Sequence, residues 1–126
     1  MAKQKILLIE DDTFTRELYE EVLADAGFEV GVAVDGAEGI DKIRSASYDL
    51  ILLDMMLPKI DGLGVLRDLK NNPPEHAHGP IILVTNMAHD PVLKLAVDLG
   101  VKSSIIKSDI TPGDLVEKVK GFLQSG

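Results

Sequence analysis

Glu10, Asp11 and Asp12 follow directly on the apolar run Ile6, Leu7, Leu8, Ile9, and Asp54 follows directly on Leu50, Ile51, Leu52, Leu53. If the two runs are neighbouring parallel strands, their C-terminal ends bring these carboxylates into one crevice, where open α/β sheets place ligands. Two carboxylates about 5 Å apart repel by roughly 3 kcal/mol at an effective dielectric of ~20, so such a cluster calls for a positive occupant. A divalent cation that takes oxygen ligands, Mg2+, suits it.

The segments that must position these acids alternate between short apolar runs and helix-period stretches, the pattern of repeated βαβ units around a parallel sheet. Strands are expected near 5–9, 29–33, 49–53, 80–85 and 104–107. The first helix is expected from about Thr13 to Ala26, with Phe14, Leu18 and Val22 spaced i, i+4, i+8 along its inward face and Gly27 as the C-terminal cap. Asp35-Gly36 opens a second helix that reaches about Ala46, and Asp61-Gly62 opens a third that Pro73-Pro74 stops. Asp90-Pro91 is a cap followed by proline at the first helical position, and Gly100 closes that fourth helix. Thr111, Pro112, Gly113 and Asp114 start the last, with Leu115, Val119, Phe122 and Leu123 facing inward. Five strands and five helices result, the apolar runs at 50–53 and 81–84 being central and the strands at 29–33 and 104–107 forming the edges.

Bulk properties narrow the class. The 126 residues suit one domain, and 45% hydrophobic with 27% charged residues is ordinary globular composition. Zero cysteines exclude disulfides, thiol nucleophiles and zinc-thiolate sites. Only four apolar residues separate Lys5 from Glu10, too few for a signal-peptide core or a membrane span, so a cytoplasmic protein without membrane insertion is expected. The net charge of −8 disfavours direct contact with a nucleic-acid backbone. No G-x-x-x-x-G-K loop and no G-x-G-x-x-G follows the first strand, which argues against nucleotide binding by those devices.

Each site residue also has a plainer explanation. Acids at a strand end cap the following helix, as Asp12 is expected to do; a threonine favours strands, and an edge lysine is usually solvated. His76 and His78 lack a third ligand and read as loop residues, as does His89. Met55, Met56 and Met87 read as apolar wall rather than cofactor contacts.

Taken together, the residues argue otherwise. Glu10-Asp11 after the first strand, Asp54 in the stretch Asp54 to Gly62, Thr85 ending the fourth strand and Lys107 ending the fifth resemble the receiver domain of two-component response regulators, the CheY-like family. The resemblance covers essentially the whole chain. It implies a doubly wound, flavodoxin-like (βα)5 fold with strand order 2-1-3-4-5, present as a single receiver domain over 1–126 with no output domain. It further implies that Asp54 is the nucleophile accepting a phosphoryl group from a sensor histidine kinase or histidine phosphotransfer protein. Asp11, Asp54 and the Met56 backbone carbonyl would ligate Mg2+ and Glu10 would act through water. Thr85 and Lys107 would contact phosphoryl oxygens. The output would pass to a downstream protein target from a monomer or weak dimer, and the chain would be a signalling protein rather than an enzyme.

Three positions depart from the family pattern. Ser108 follows Lys107 where a proline preceded by a cis bond is usual; a cis bond without proline costs ~2.5–4 kcal/mol, so a trans bond is expected. Ser104 stands where a switching aromatic is common, so output is expected to depend on backbone or fourth-helix rearrangement, or the output face is nearly constant. Asn86 stands where a small residue usually follows the threonine, in reach of the phosphoryl group or its attacking water. Two rival readings are a constitutive interaction module with weakened switching and a Mg2+-dependent phosphohydrolase, the latter lacking a nearby general acid.

Overall fold

In a computed structural model the described residues, 3–86 and 90–124, form one five-stranded parallel sheet with helices on both faces. In chain order the elements are β1 (Lys5–Ile9), α1 (Thr13–Asp25), β2 (Glu29–Ala33), α2 (Gly36–Ser45), β3 (Leu50–Asp54), α3 (Gly62–Asn71), β4 (Ile81–Thr85), α4 (Asp90–Asp98), β5 (Val101–Ile106) and α5 (Pro112–Gln124). The strand order is β2-β1-β3-β4-β5, with β2 and β5 at the edges. Expected order and edges are both observed.

The period-2 alternation of the strands divides the core into two layers. Leu7, Ile9, Ile51, Leu53, Ile81 and Leu83 face α2, α3 and α4, where they meet Ile40, Ile43, Val65, Leu66, Leu69 and Ala96. Ile6, Leu8, Leu50, Leu52, Ile82 and Val84 face α1 and α5, where they meet Tyr19, Leu23, Leu115 and Val119. Strands β3 and β4 are buried at every position, which explains why both read as continuous apolar runs instead of alternating ones.

Two expectations need correction. The inward face of α1 is Tyr19 and Leu23 rather than Phe14, Leu18 and Val22; Phe14 is 75% exposed. Asp12 caps α1 by accepting from the Thr15 amide at 2.8 Å, so the helix begins level with the end of β1 and Phe14 lies on its first turn, past the sheet. β5 begins at Val101 rather than Ser104 and ends at Ile106, leaving Lys107 in the short 3-10 turn Lys107–Asp109. An edge strand tolerates polar residues, and a register shift between Ile81 and Ile82 sets Val101 opposite Ile81 and Ser103 opposite Ile82; that irregularity hides the strand from a reading based on alternation. Met87 and His89 lie outside the described residues, as does the side chain of Asp90.

Candidate functional site

Six acids end or follow β1, β2 and β3 at the C-terminal rim of the sheet, and helix capping accounts for three of them. Asp12, Asp35 and Asp61 accept hydrogen bonds from the backbone amides of Thr15, Glu38 and Gly64, each at 2.8 Å. Glu10, Asp11 and Asp54 cap no helix. They offer one carboxylate oxygen each, and these atoms all lie within 4.8 Å of one another. An octahedral Mg2+ with oxygen ligands at about 2.1 Å spans about 4.2 Å between opposite ligands, so the donor type and spacing fit such an ion after a small contraction.

The parallel register places this cluster. Ile9 pairs with Leu53 across β1 and β3, so the next residues, Glu10 and Asp54, emerge side by side. Glu10 is held by its own amide, which donates to the Ala33 carbonyl at 3.0 Å. Its Oε2 accepts from the Asp12 amide at 3.1 Å. Asp54 Oδ1 accepts from the Met56 amide at 3.1 Å, and Oδ2 accepts from Lys107 Nζ at 2.8 Å. The Lys107 ammonium also donates to Glu10 Oε1, so it bridges the two acids. Both carboxylates are nearly out of solvent, at 2% and 7% side-chain exposure, and Lys107 is at 15%.

Burial is the largest influence on Glu10 and moves its pKa to about 7, against the Lys107 hydrogen bond that favours the charged form; Asp54 adds to the upward push. Burial also pulls Lys107 down, but the combined hydrogen bonds and charges of Asp54 and Glu10 outweigh it and leave Lys107 above its ordinary value. The lysine is therefore firmly charged at neutral pH. Glu10, with its pKa near 7, changes charge close to neutral pH.

Glu10, Asp11, Asp12, Thr15, Asp54, Met56, Asn86 and Lys107 line one cavity of about 480 Å3. The structure thus brings together five of the six expected site residues. The sixth, Thr85, is fully buried at the end of β4 opposite Ile106, and its neighbour Asn86 faces the cavity. Met56, 64% exposed, lines the cavity as the expected wall, whereas Met55 is buried in the core and is not part of the lining. The Lys107–Ser108 bond is trans, as every described peptide bond is. His76 has a structural task, its Nε2 lying 3.0 and 2.8 Å from the carbonyls of Ile43 and Ala46 at the end of α2.

Sequence reasoning missed Arg16. Its Nη1 reaches back from α1 to the carbonyls of both Glu10 and Asp11 at 3.1 Å, which ties the acidic turn to the first helix. The only signal in the sequence is a lone arginine four residues past a helix cap. Gly62, which opens α3, also packs on the site: a Cβ there would lie 2.7 Å from the Asp54 carbonyl, and its amide donates to the Met55 carbonyl at 2.9 Å.

Comparison with known proteins agrees with this fold. A family model described as the response regulator receiver domain matches residues 6–120. The response regulator ArlR of Staphylococcus saprophyticus is 33% identical over 121 residues, 95% of this chain and 52% of that protein. The DNA-binding response regulator MtrA of Mycobacterium leprae is 31% identical over 122 residues, 97% of this chain and 52% of that protein. The chain spans about half the length of the curated relatives it matches. A CheY-like receiver domain protein from Methanospirillum hungatei superposes with a TM-score of 0.87 at 29% identity, covering 98% of this chain and 96% of that one.

Proposed function

The chain belongs to the response regulator receiver family, and from that membership we propose that Asp54 accepts a phosphoryl group from a phosphohistidine on a partner protein and that the resulting charge change is read by a second protein. The observation that carries this reading is the convergence of Glu10, Asp11, Asp54 and Lys107 on one cavity, with Asp54 at its floor. In the transfer, an Asp54 carboxylate oxygen bonds to phosphorus as the phosphorus–nitrogen bond breaks, and the departing imidazole takes up a proton. Asp11, Asp54 and the Met56 carbonyl would hold Mg2+ directly, and Glu10 would act through water. Bound there, Mg2+ supplies positive charge to the phosphoryl oxygens.

The protein's own residues do the rest. Lys107 already lies 2.8 Å from Asp54 Oδ2 and moves its charge to a phosphoryl oxygen once that oxygen forms a bond to phosphorus. The Met56 amide orients the other carboxylate oxygen. Thr85 supplies a hydroxyl from the adjacent strand end. The partners are a histidine kinase or phosphotransfer protein on the input side and a protein target on the output side, the protein itself acting in the cytoplasm. The name of the mycobacterial relative extends the output to DNA binding only for that protein.

Incubation with Mg2+ and a small phosphodonor tests the reading. We expect a single-phosphoryl mass increase that is base-labile and disappears in Asp54→Ala. Turnover of many donor equivalents without lasting modification would instead indicate a phosphohydrolase. No modification at all would indicate a constitutive interaction module. Asn86 faces the same cavity and can obstruct the hydrolytic water, so Asn86→Ala is expected to shorten the lifetime of the modification several-fold, on the order of 1 kcal/mol. An unchanged decay rate removes that role. Ser104 is half-buried opposite Leu83 and has no ring to move. Chemical shifts on adding an acyl-phosphate analogue should therefore spread through the backbone of β5 and α4; large changes confined to Ser104 would contradict this.

A further inference from the structure

The loop from Met55 to Asp61 joins Asp54 to α3, and it contains the only described non-glycine residue with positive φ, Lys59 at 67°. The Ile60 amide donates to the Pro58 carbonyl at 2.8 Å, so Pro58, Lys59 and Ile60 form a γ-turn of the rare positive-φ form. A β-carbon makes that conformation unfavourable, and it persists only where its surroundings over-determine it. The surroundings here are the start of α2. The Ile60 carbonyl packs so closely on Gly36 that a Cβ at that position would lie 1.8 Å from its oxygen. Immediately before it, Asp35 uses Oδ1 to cap α2 and Oδ2 to pair with Lys59 Nζ at 3.4 Å. Asp35 is 11% exposed at its side chain, whereas Lys59 is 71% exposed.

We infer that Asp35 and Lys59 are positioning residues for the phosphoryl site: their pair, with the Gly36 contact, pins the strained turn to α2 and so fixes the backbone of Met56 beside Asp54. The inference rests on the metal reading given above, because the Met56 carbonyl is one of the proposed ligands. A loosened turn lets that carbonyl wander, and outer partners of metal ligands commonly change affinity 10- to 100-fold when removed. The exposed lysine places this pair below that range, at about 3- to 10-fold.

Two single variants and their combination test it. Lys59→Gly removes the ammonium but suits positive φ, and Asp35→Asn removes the charge but still caps α2. The first readout is Mg2+ affinity, followed by the amide shifts of Asp54 and Met56. The second is metal-free hydrogen exchange at Gly62, whose amide bonds to the Met55 carbonyl. Positioning predicts that both variants weaken Mg2+ binding about 3- to 10-fold, that the double variant is no worse than either, that Lys59→Arg restores affinity, and that Gly62 exchange accelerates in both. A through-space charge effect gives opposite signs, tighter binding in Lys59→Gly and weaker in Asp35→Asn, and overturns the inference. A purely structural turn gives Lys59→Gly unchanged affinity and slower Gly62 exchange, which overturns it as well. If the unaltered protein shows no saturable Mg2+ response, the metal reading fails, and the positioning of the loop is then decided by Gly62 exchange alone.

Discussion

Lys107→Met is expected to destabilise the metal-free protein by about 2–3 kcal/mol at pH 8 and to slow phosphoryl uptake at least about 10-fold. The lysine bridges Glu10 and Asp54, and without it two nearly buried carboxylates face each other with no cation between them. Breaking a fully buried pair costs roughly 3–5 kcal/mol, and the partial exposure of Lys107 lowers that figure. The raised pKa of Lys107 means that its contribution is fully present below the ordinary lysine value and is lost only as pH rises through the higher folded value. The loss should therefore shrink at pH 5 for a different reason, which is that Glu10 is then protonated. Saturating Mg2+ should recover part of it. Equal urea midpoints for Lys107→Met and the unaltered protein at pH 8 would contradict the bridge.

The second large effect concerns Glu10. Its folded pKa of about 7 lies above the ordinary carboxylate value of 4.5, so the native state holds a proton that the unfolded chain has released between those two pH values. Stability must then fall as pH rises through that window and level off above it. Glu10→Gln removes the titration. It should flatten the metal-free profile between pH 4.5 and 7 and leave the variant more stable at pH 8, on the order of 1–2 kcal/mol after allowing for solvent around the Lys107 side of the group. The same variant should bind Mg2+ more weakly, since it removes a negative charge from the cluster. Urea denaturation at a series of pH values, without metal, reads the difference. A profile that rises between pH 4.5 and 7, or one unaltered by Glu10→Gln, is the contrary result.

Both effects are two sides of one arrangement. The parallel register of β1 and β3 obliges Glu10 and Asp54 to emerge together, and the fold tolerates that crowding because Lys107 arrives from the far edge of the sheet. A cluster that is costly without a cation is correspondingly receptive to one. Stability is traded for a site already organised to receive charge.

Much of this is legible in the sequence alone, and for a local reason. β1, β3 and β4 are buried on both faces, so their sequences are unbroken apolar runs, and the acids that end β1 and β3 stand out at once. Asp12, Asp35 and Asp61 are readable as caps because capping is decided within three residues. What depended on distant contacts was harder to see. β5 carries Ser103 and Ser104 in an irregular pairing whose partner strand lies some twenty residues earlier, and no alternation reveals it. The inward face of α1 is set by where Asp12 starts the helix relative to the sheet, so a plausible stripe through Phe14 was one residue out of phase. Arg16 and the Asp35–Lys59 pair act through backbone carbonyls and a strained turn, and neither leaves a spacing pattern.

The central claim is that Asp54, among the clustered acids, is the residue that becomes covalently modified. Borohydride reduction after phosphodonor treatment reads this directly, because it converts an aspartyl phosphate to homoserine and marks the position permanently for peptide mass analysis. The account predicts homoserine at position 54, dependent on Mg2+. Reduction products at Glu10 or Asp11, or none at position 54 in a protein that has gained phosphoryl mass, would contradict it.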